Sequence, residues 1–213
     1  MTVTDFINFF MTLLIIANPM AALPAFLNVT ASDGYEQRKK TALTTSIAVL
    51  VILVMMTFIG RAFLKILGIQ VYAFQITGGL ILVLLAFSML NASPSRIQET
   101  QEEQKEAKKK DSVAIVPLAI PLIAGPGAIS TIILEVSLRP SFHNQMLVCL
   151  ACFLVALFMG TLLYFASGLE KKMGQTGLNI FSRIGGLILA AISIQTVANG
   201  LIGLFPILGH VIN

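Results

Sequence analysis

Uncharged apolar runs, each long enough to cross a bilayer, recur along the whole chain and constrain it more than any motif does. The hydrocarbon core of a bilayer is about 30 Å thick and takes about 20 helical residues to cross. Six stretches fit that length: 6–29, 41–59, 72–90, 113–134, 146–169 and 184–204. Composition agrees. Of 213 residues, 56% are apolar and 11% charged, with a mean hydropathy of +0.89, whereas a soluble domain carries about 25% charged residues. So few charges cannot cover a water-facing surface, which excludes a soluble enzyme, a secreted disulfide scaffold and a nucleic-acid module. The net charge of +4 comes from short basic clusters beside apolar runs rather than from one basic face. Residues 1–5 hold no Lys or Arg, and the apolar run outlasts a signal-peptide h-region, so the first run is expected to stay in the mature protein.

Lys and Arg are retained on the cytoplasmic side of short loops. The loops after the first, third and fifth runs hold eleven of them: Arg38, Lys39, Lys40, Arg96, Lys105, Lys108, Lys109, Lys110, Lys171, Lys172 and Arg183. The opposite side holds three, Arg61, Lys65 and Arg139. Both termini are therefore expected outside the cytoplasm. The one long polar stretch, 91–112, carries five basic and five acidic residues and reads as a solvated, partly helical cytoplasmic loop. It divides the chain into a first three-helix unit, 1–90, and a second, 113–213.

These two units match when the chain is slid against itself by 107 residues. Phe74 and the run Gly78-Gly79-Leu80-Ile81-Leu82 fall on Phe181 and Gly185-Gly186-Leu187-Ile188-Leu189. Ile16, Ala17, Pro19, Ala21, Leu27 and Val29 fall on Ile123, Ala124, Pro126, Ala128, Leu134 and Val136. Leu and Ile coincidences are cheap in such a composition; a shared Gly-Gly pair and a shared intramembrane Pro are not. With three runs per unit, the second enters the membrane from the side opposite to the first, giving inverted repeats of the kind that alternating-access transporters use. The expected architecture is six transmembrane helices in two inverted three-helix repeats, with helices 1 and 4 broken.

The breaks are expected at Pro19 and Pro126, because proline removes a helical donor and clashes with the preceding turn, and Gly125 and Gly127 favour an unwound stretch. Unpaired main-chain groups cannot face lipid, so such backbone is buried in protein or lines a wet cavity. Half-helix N-termini suit a carboxylate and half-helix C-termini an ammonium or a cation. A zwitterionic amino acid has both, which makes Asn18, Pro19, Met20, Ala21, Gly125, Pro126, Gly127, Ala128, Ser130 and Thr131 the candidate substrate-binding residues, the two segments facing each other across the repeat axis. The competing reading is a structural kink held by neighbouring helices.

Gly78, Gly79, Gly185 and Gly186 read as close helix packing. Gln195 and Asn199, one turn apart, share a face that serves packing or a pathway, and Thr77, Ser88 and Thr196 are further polar residues within spans. Cys149 and Cys152 lie in an apolar run without the positive surroundings that activate a thiol and read as small residues on a buried helix face. Glu135, near the outer end of the fourth run, reads as reaching for water. His143 and His210 have no metal-ligand spacing. No charge is assigned to mid-membrane, which points to a cargo without net charge. No nucleotide motif is present, and no nucleophile sits with a base at depth, so no enzyme activity, metal or cofactor is expected; a coupling ion, H+ or Na+, is left open.

The run 117–130, Pro-Leu-Ala-Ile-Pro-Leu-Ile-Ala-Gly-Pro-Gly-Ala-Ile-Ser, with Gln175-Thr176-Gly177-Leu178-Asn179 and Asn18-Pro19, resembles the MarC family of bacterial inner-membrane proteins, also called the small neutral amino acid transporter family. The resemblance covers essentially the whole chain. It implies a six-span protein of the bacterial inner membrane, grouped with amino acid exporters, that moves small neutral amino acids such as alanine and glycine. The family name refers to genetic neighbourhood and does not imply drug export. The alternatives are a non-transporting membrane scaffold or regulator, and an exporter of another small neutral metabolite.

Overall fold

A computed structural model describes residues 1–31, 33–90 and 123–207. Among these residues the protein is helical throughout, with no strand. The helices are α1 (Val3–Ile16), α2 (Pro19–Val29), α3 (Tyr35–Ile66), α4 (Val71–Leu90), α5 (Pro126–Leu138), α6 (Phe142–Tyr164) and α7 (Ala166–Leu204). Five stretches are long and apolar enough to cross a membrane: Val3–Leu27, Tyr35–Ile66, Val71–Leu90, Phe142–Tyr164 and Thr176–Leu204; Pro126–Leu138 is a shorter apolar helix. The charged loop 91–112 and the first part of the fourth expected span, with Pro117 and Pro121, lie outside the described residues, as does His210.

Local chemistry sets the helix ends. Thr2 and Asp5 start α1 with a capping box, each side chain accepting the other's main-chain N–H, at 2.9 and 3.2 Å; such reciprocal capping satisfies two orphan donors. Gly68, at φ +67°, turns the chain from α3 into α4. Gly174 interrupts α7 at φ 61°, ψ 178°, a combination that is essentially restricted to glycine. It separates a short segment, 166–173, carrying Glu170, Lys171 and Lys172, from the spanning part, which starts at Thr176 and so eight residues before the expected 184. α3 is likewise longer than the expected 41–59. At 1.5 Å per residue its stretch from Lys40 to Arg61 measures about 30 Å, the thickness of the hydrocarbon core. The sequence marked the uncharged part of this helix, and the charged ends simply continue it into the interfaces.

The long helices bury small and polar side chains and turn large apolar ones outward. On α3, Thr45, Val49, Leu53, Thr57 and Gly60 are buried while Leu43, Ile47, Val51, Met55 and Phe58 are exposed. Between helices in lipid there is no hydrophobic drive, so close packing and internal hydrogen bonds hold the bundle. Ser46 Oγ of α3, for instance, donates to Ala156 C=O of α6 at 2.6 Å. α4 packs most extensively against α7 and α3 against α6; α5 lies against α4 and α3, and α1 and α2 lie against α6 and α7. Phe26, Leu13, Leu23, Ile132 and Met159 are the large fully buried side chains where these elements meet.

Candidate functional site: two proline-led helix starts on a glycine contact

The first break is made by Asn18. α1 ends at Ile16 and Asn18 turns the chain at φ +54°, in the left-handed region that asparagine tolerates better than other non-glycine residues. The residue is only 2% exposed, and both of its side-chain ends are used: Oδ1 accepts from Ala21 N–H at 3.2 Å and Nδ2 donates to Met89 Sδ at 3.1 Å. Its C=O accepts from Ala21 and Ala22 N–H. Pro19 is the first residue of α2, where a missing N–H costs nothing. The second candidate segment starts its helix in the same way. Gly125 is extended, at φ −74°, ψ 178°, and Pro126 opens α5. At the first site the break falls where the sequence placed it, but Asn18 makes the turn and Pro19 begins the second helix; at the second, Pro126 likewise begins a helix, and the residues just before 123 lie outside the described residues.

The two helix starts differ in one respect that bears on chemistry. α2 is capped by Asn18. α5 has no side-chain cap: Ile129 N–H donates to Gly125 C=O at 3.0 Å, but the N–H groups of Gly127 and Ala128 find no acceptor among the described residues. Gly125, Gly127, Ala128 and Ser130 are all buried. Ser130 Oγ and Thr131 Oγ1 both donate to Gly127 C=O, at 2.9 Å, so these hydroxyls serve the helix's own first turn. A buried, uncapped first turn is an oriented pair of donors at the positive end of a helix dipole.

Each break rests on a glycine of the other half. A methyl group at Gly78 would stand 2.6 Å from Ser130 Oγ and 3.1 Å from Pro126 C=O oxygen, and one at Gly185 would collide with the Met20 side chain. Ser182 Oγ, one turn from Gly185, donates to Met20 C=O at 3.2 Å. The second glycine of each pair lies in the contact between α4 and α7. A methyl at Gly79 would come 3.2 Å from Ser193 C=O oxygen, and one at Gly186 3.2 Å from Ala86 C=O oxygen. Residues 79 and 86 become 186 and 193 on adding 107, so these are one contact repeated. The breaks occupy two levels of this helix pair. Met89 touches the first and Leu82, which a methyl at Gly127 would meet, the second; seven residues of α4 put them about 10 Å apart.

Ala21 and Thr131 are half-buried beside the breaks. Gln195 and Asn199 do share a face, but it is the exposed outer face of α7, because Ser193 and Val197 are the residues turned towards α4. Glu135 is held in an ion pair with Arg139 at 3.2 Å rather than free in water. Cys149 and Cys152 are unbridged thiols, and among the described residues no three His, Cys, Asp or Glu side chains come together. Met89, Ser182 and Gln75 are the additions the structure makes. Gln75 is 6% exposed, and its Oε1 has no partner among the described residues. Its signal in the sequence was an amide inside an otherwise apolar run; Met89 had none.

Apolar helices of spanning length, with large side chains outward and interrupted backbone buried at the centre, define a multi-pass integral membrane protein. Comparison with known proteins gives the family. Residues 3–205 match the MarC family of integral membrane proteins, and the chain belongs to it. It is 36% identical over 205 residues to a UPF0056 membrane protein of Buchnera aphidicola, covering 96% of this chain and 95% of the relative. It is 34% identical over 201 residues to the UPF0056 membrane protein YhcE of Escherichia coli, covering 94% of each. An archaeal relative, a UPF0056 membrane protein of Methanocaldococcus jannaschii, is 32% identical over 205 residues, covering 94% of this chain and 90% of its own length. No solved structure matches the chain.

Proposed function

We infer that the protein is a secondary transporter of small neutral amino acids such as alanine and glycine, working by alternating access between two inverted repeats in the bacterial inner membrane, with both termini outside the cytoplasm. The observation that carries this reading is the repeated contact at the centre of the molecule: Gly79 on Ser193 and Gly186 on Ala86, at one distance and one offset, with a proline-led helix start beside each glycine pair. Two halves that meet through a self-matching contact have two equivalent tilts, one open to each face.

The uncapped first turn of α5 is the place for the substrate carboxylate, its buried Gly127 and Ala128 N–H groups having no acceptor among the described residues. The C-terminal carbonyls of α1 beside Asn18 suit an ammonium or a cation in kind, but about 10 Å along α4 from the α5 turn they are too far to hold the same small molecule. Small side chains fit a site built from Ala, Gly and Ser. Among the described residues no ionisable side chain stands at either site, so a zwitterion can be held there without a net charge being carried into the low-dielectric interior. No catalytic group is required, and the driving force is an ion gradient or that of the substrate. A thermal-shift screen of the purified protein tests the binding half of the claim: glycine, alanine and serine are expected to raise the unfolding temperature, whereas lysine, glutamate and tryptophan are not. Equal shifts from all amino acids, or none from the small ones, refute it.

A further inference from the structure

The two halves are also tied at their ends, and these ties are built unequally. Among the described residues only two ion pairs join residues 1–90 to residues 123–207. At one end Arg38 Nη1 stands 3.3 Å from Glu170 Oε2; at the other Arg139 Nη1 stands 3.5 Å from Asp5 Oδ2. The Arg38 tie is the stronger. Its Nε donates to Thr30 C=O at 2.9 Å, Nη2 to Ala31 C=O at 3.4 Å, and Nη1 also to Ser167 Oγ at 3.2 Å. The guanidinium thus satisfies main-chain carbonyls just beyond α2 while it reaches across to the start of α7, and its side chain is 17% exposed. The Asp5–Arg139 pair has both side chains more than a third exposed, and Arg139 divides itself between Asp5 and its own-helix neighbour Glu135. Between these ends lies the glycine contact of α4 and α7, where main chain meets main chain and little side chain is available to adjust.

We propose that Arg38–Glu170 and Asp5–Arg139 are a pair of opposed latches, which break in alternation as the halves rock about the Gly79/Gly186 contact. This rests on the alternating-access reading above. Rocking about a central contact separates the halves at one end while keeping them together at the other, so each open state costs one latch and retains the other. The unequal build sets the direction: the Asp5–Arg139 end, which in the expected orientation faces out of the cytoplasm, opens more readily than the Arg38–Glu170 end.

The test uses the full-length protein in nanodiscs, with Cys149→Ala and Cys152→Ala so that spin labels can be placed in pairs. One pair is Asp33→Cys with Lys172→Cys, across the Arg38 end; the other is Thr4→Cys with Leu138→Cys, across the Asp5 end. Distances are read by pulsed electron resonance without any substrate. Glu170→Gln is expected to raise the long-distance population across its own end by about five-fold, the upper range for a partly exposed ion pair, with no separation at the far end. Asp5→Asn is expected to do the reverse by a smaller factor. Combining Arg38→Glu with Glu170→Arg is expected to restore the short distance, which a merely destabilised fold would not. Separation at both ends in one variant, or at neither in any, overturns the latches. Reciprocal shifts in a protein that moves no amino acid would leave the latches standing and refute the substrate reading; transport with unmoved distances would do the opposite.

Discussion

Replacing Gly79 by alanine tests the close contact on which the two halves turn. The added methyl would stand 2.7 Å from Val197 Cγ2, 3.1 Å from Val197 N and 3.2 Å from Ser193 C=O oxygen. Val197 is β-branched and stiff at χ1 in a helix, and the other two atoms are backbone, so relief requires α4 and α7 to move apart. Overpacking of this kind costs about 2 kcal/mol, or about 4–8 °C in unfolding temperature for a chain of this size. Gly168→Ala is the control. It lies in the short first segment of α7 with nothing within 4 Å of the added methyl, and there the gain in helix propensity is expected to raise stability by about 0.5–1 kcal/mol. Gly186→Ala should fall between, because its nearest neighbour is Met89 Cβ at 3.0 Å and the rest stand at 3.2 Å or more. A maleimide dye that fluoresces on reaching Cys152, fully buried in α6, follows unfolding in detergent. If Gly79→Ala melted no lower than Gly168→Ala, the α4/α7 contact would not be the tight one described.

Three further outcomes follow from the same geometry. Asn18→Ala loses a helix cap and the polar side chain that lets the residue tolerate the left-handed region, together costing about 2 kcal/mol, whereas Asn18→Gly keeps the turn and should melt measurably higher; equal melting of the two would refute the assigned strain. Because Asn18 and Gly125 make the turns, straightening the broken helices takes Asn18→Ala with Pro19→Ala and Gly125→Ala with Pro126→Ala, and these variants should insert in the membrane yet lose transport; a scaffold would keep its function. A reporter that is active only in the cytoplasm should stay silent when fused to the C-terminus, and strong activity there would reverse the topology.

Much of the architecture was legible because membrane helices announce themselves by length and by where charge stops. The limits of α3 were misread for the same reason: Glu36, Lys39 and Arg61 end the apolar run without ending the helix. The break in the first span was legible from Asn18-Pro19, and the start of α5 from Gly125-Pro126, since few residues interrupt an apolar span without a purpose. That Asn18 rather than Pro19 makes the turn was not, because an Asn before Pro does not by itself specify a positive φ, and the amide's partner Met89, on another helix, is a tertiary fact. Gln195 and Asn199 show the converse limit. Their spacing put them on one face of α7, but only the packing of Ser193 and Val197 against α4 decides which way that face looks. The repeat offset carried furthest: one shift of 107 residues relates a glycine pair, two proline-led helix starts and a main-chain contact.

Reconstitution into proteoliposomes tests the central claim most directly. With unlabelled alanine or glycine inside and the labelled amino acid outside, alternating access around a small-zwitterion site requires counterflow, a transient accumulation of label above equilibrium, and the straightened-helix variants should abolish it. Absence of counterflow for every small neutral amino acid, from protein shown to be folded and inserted, would contradict it.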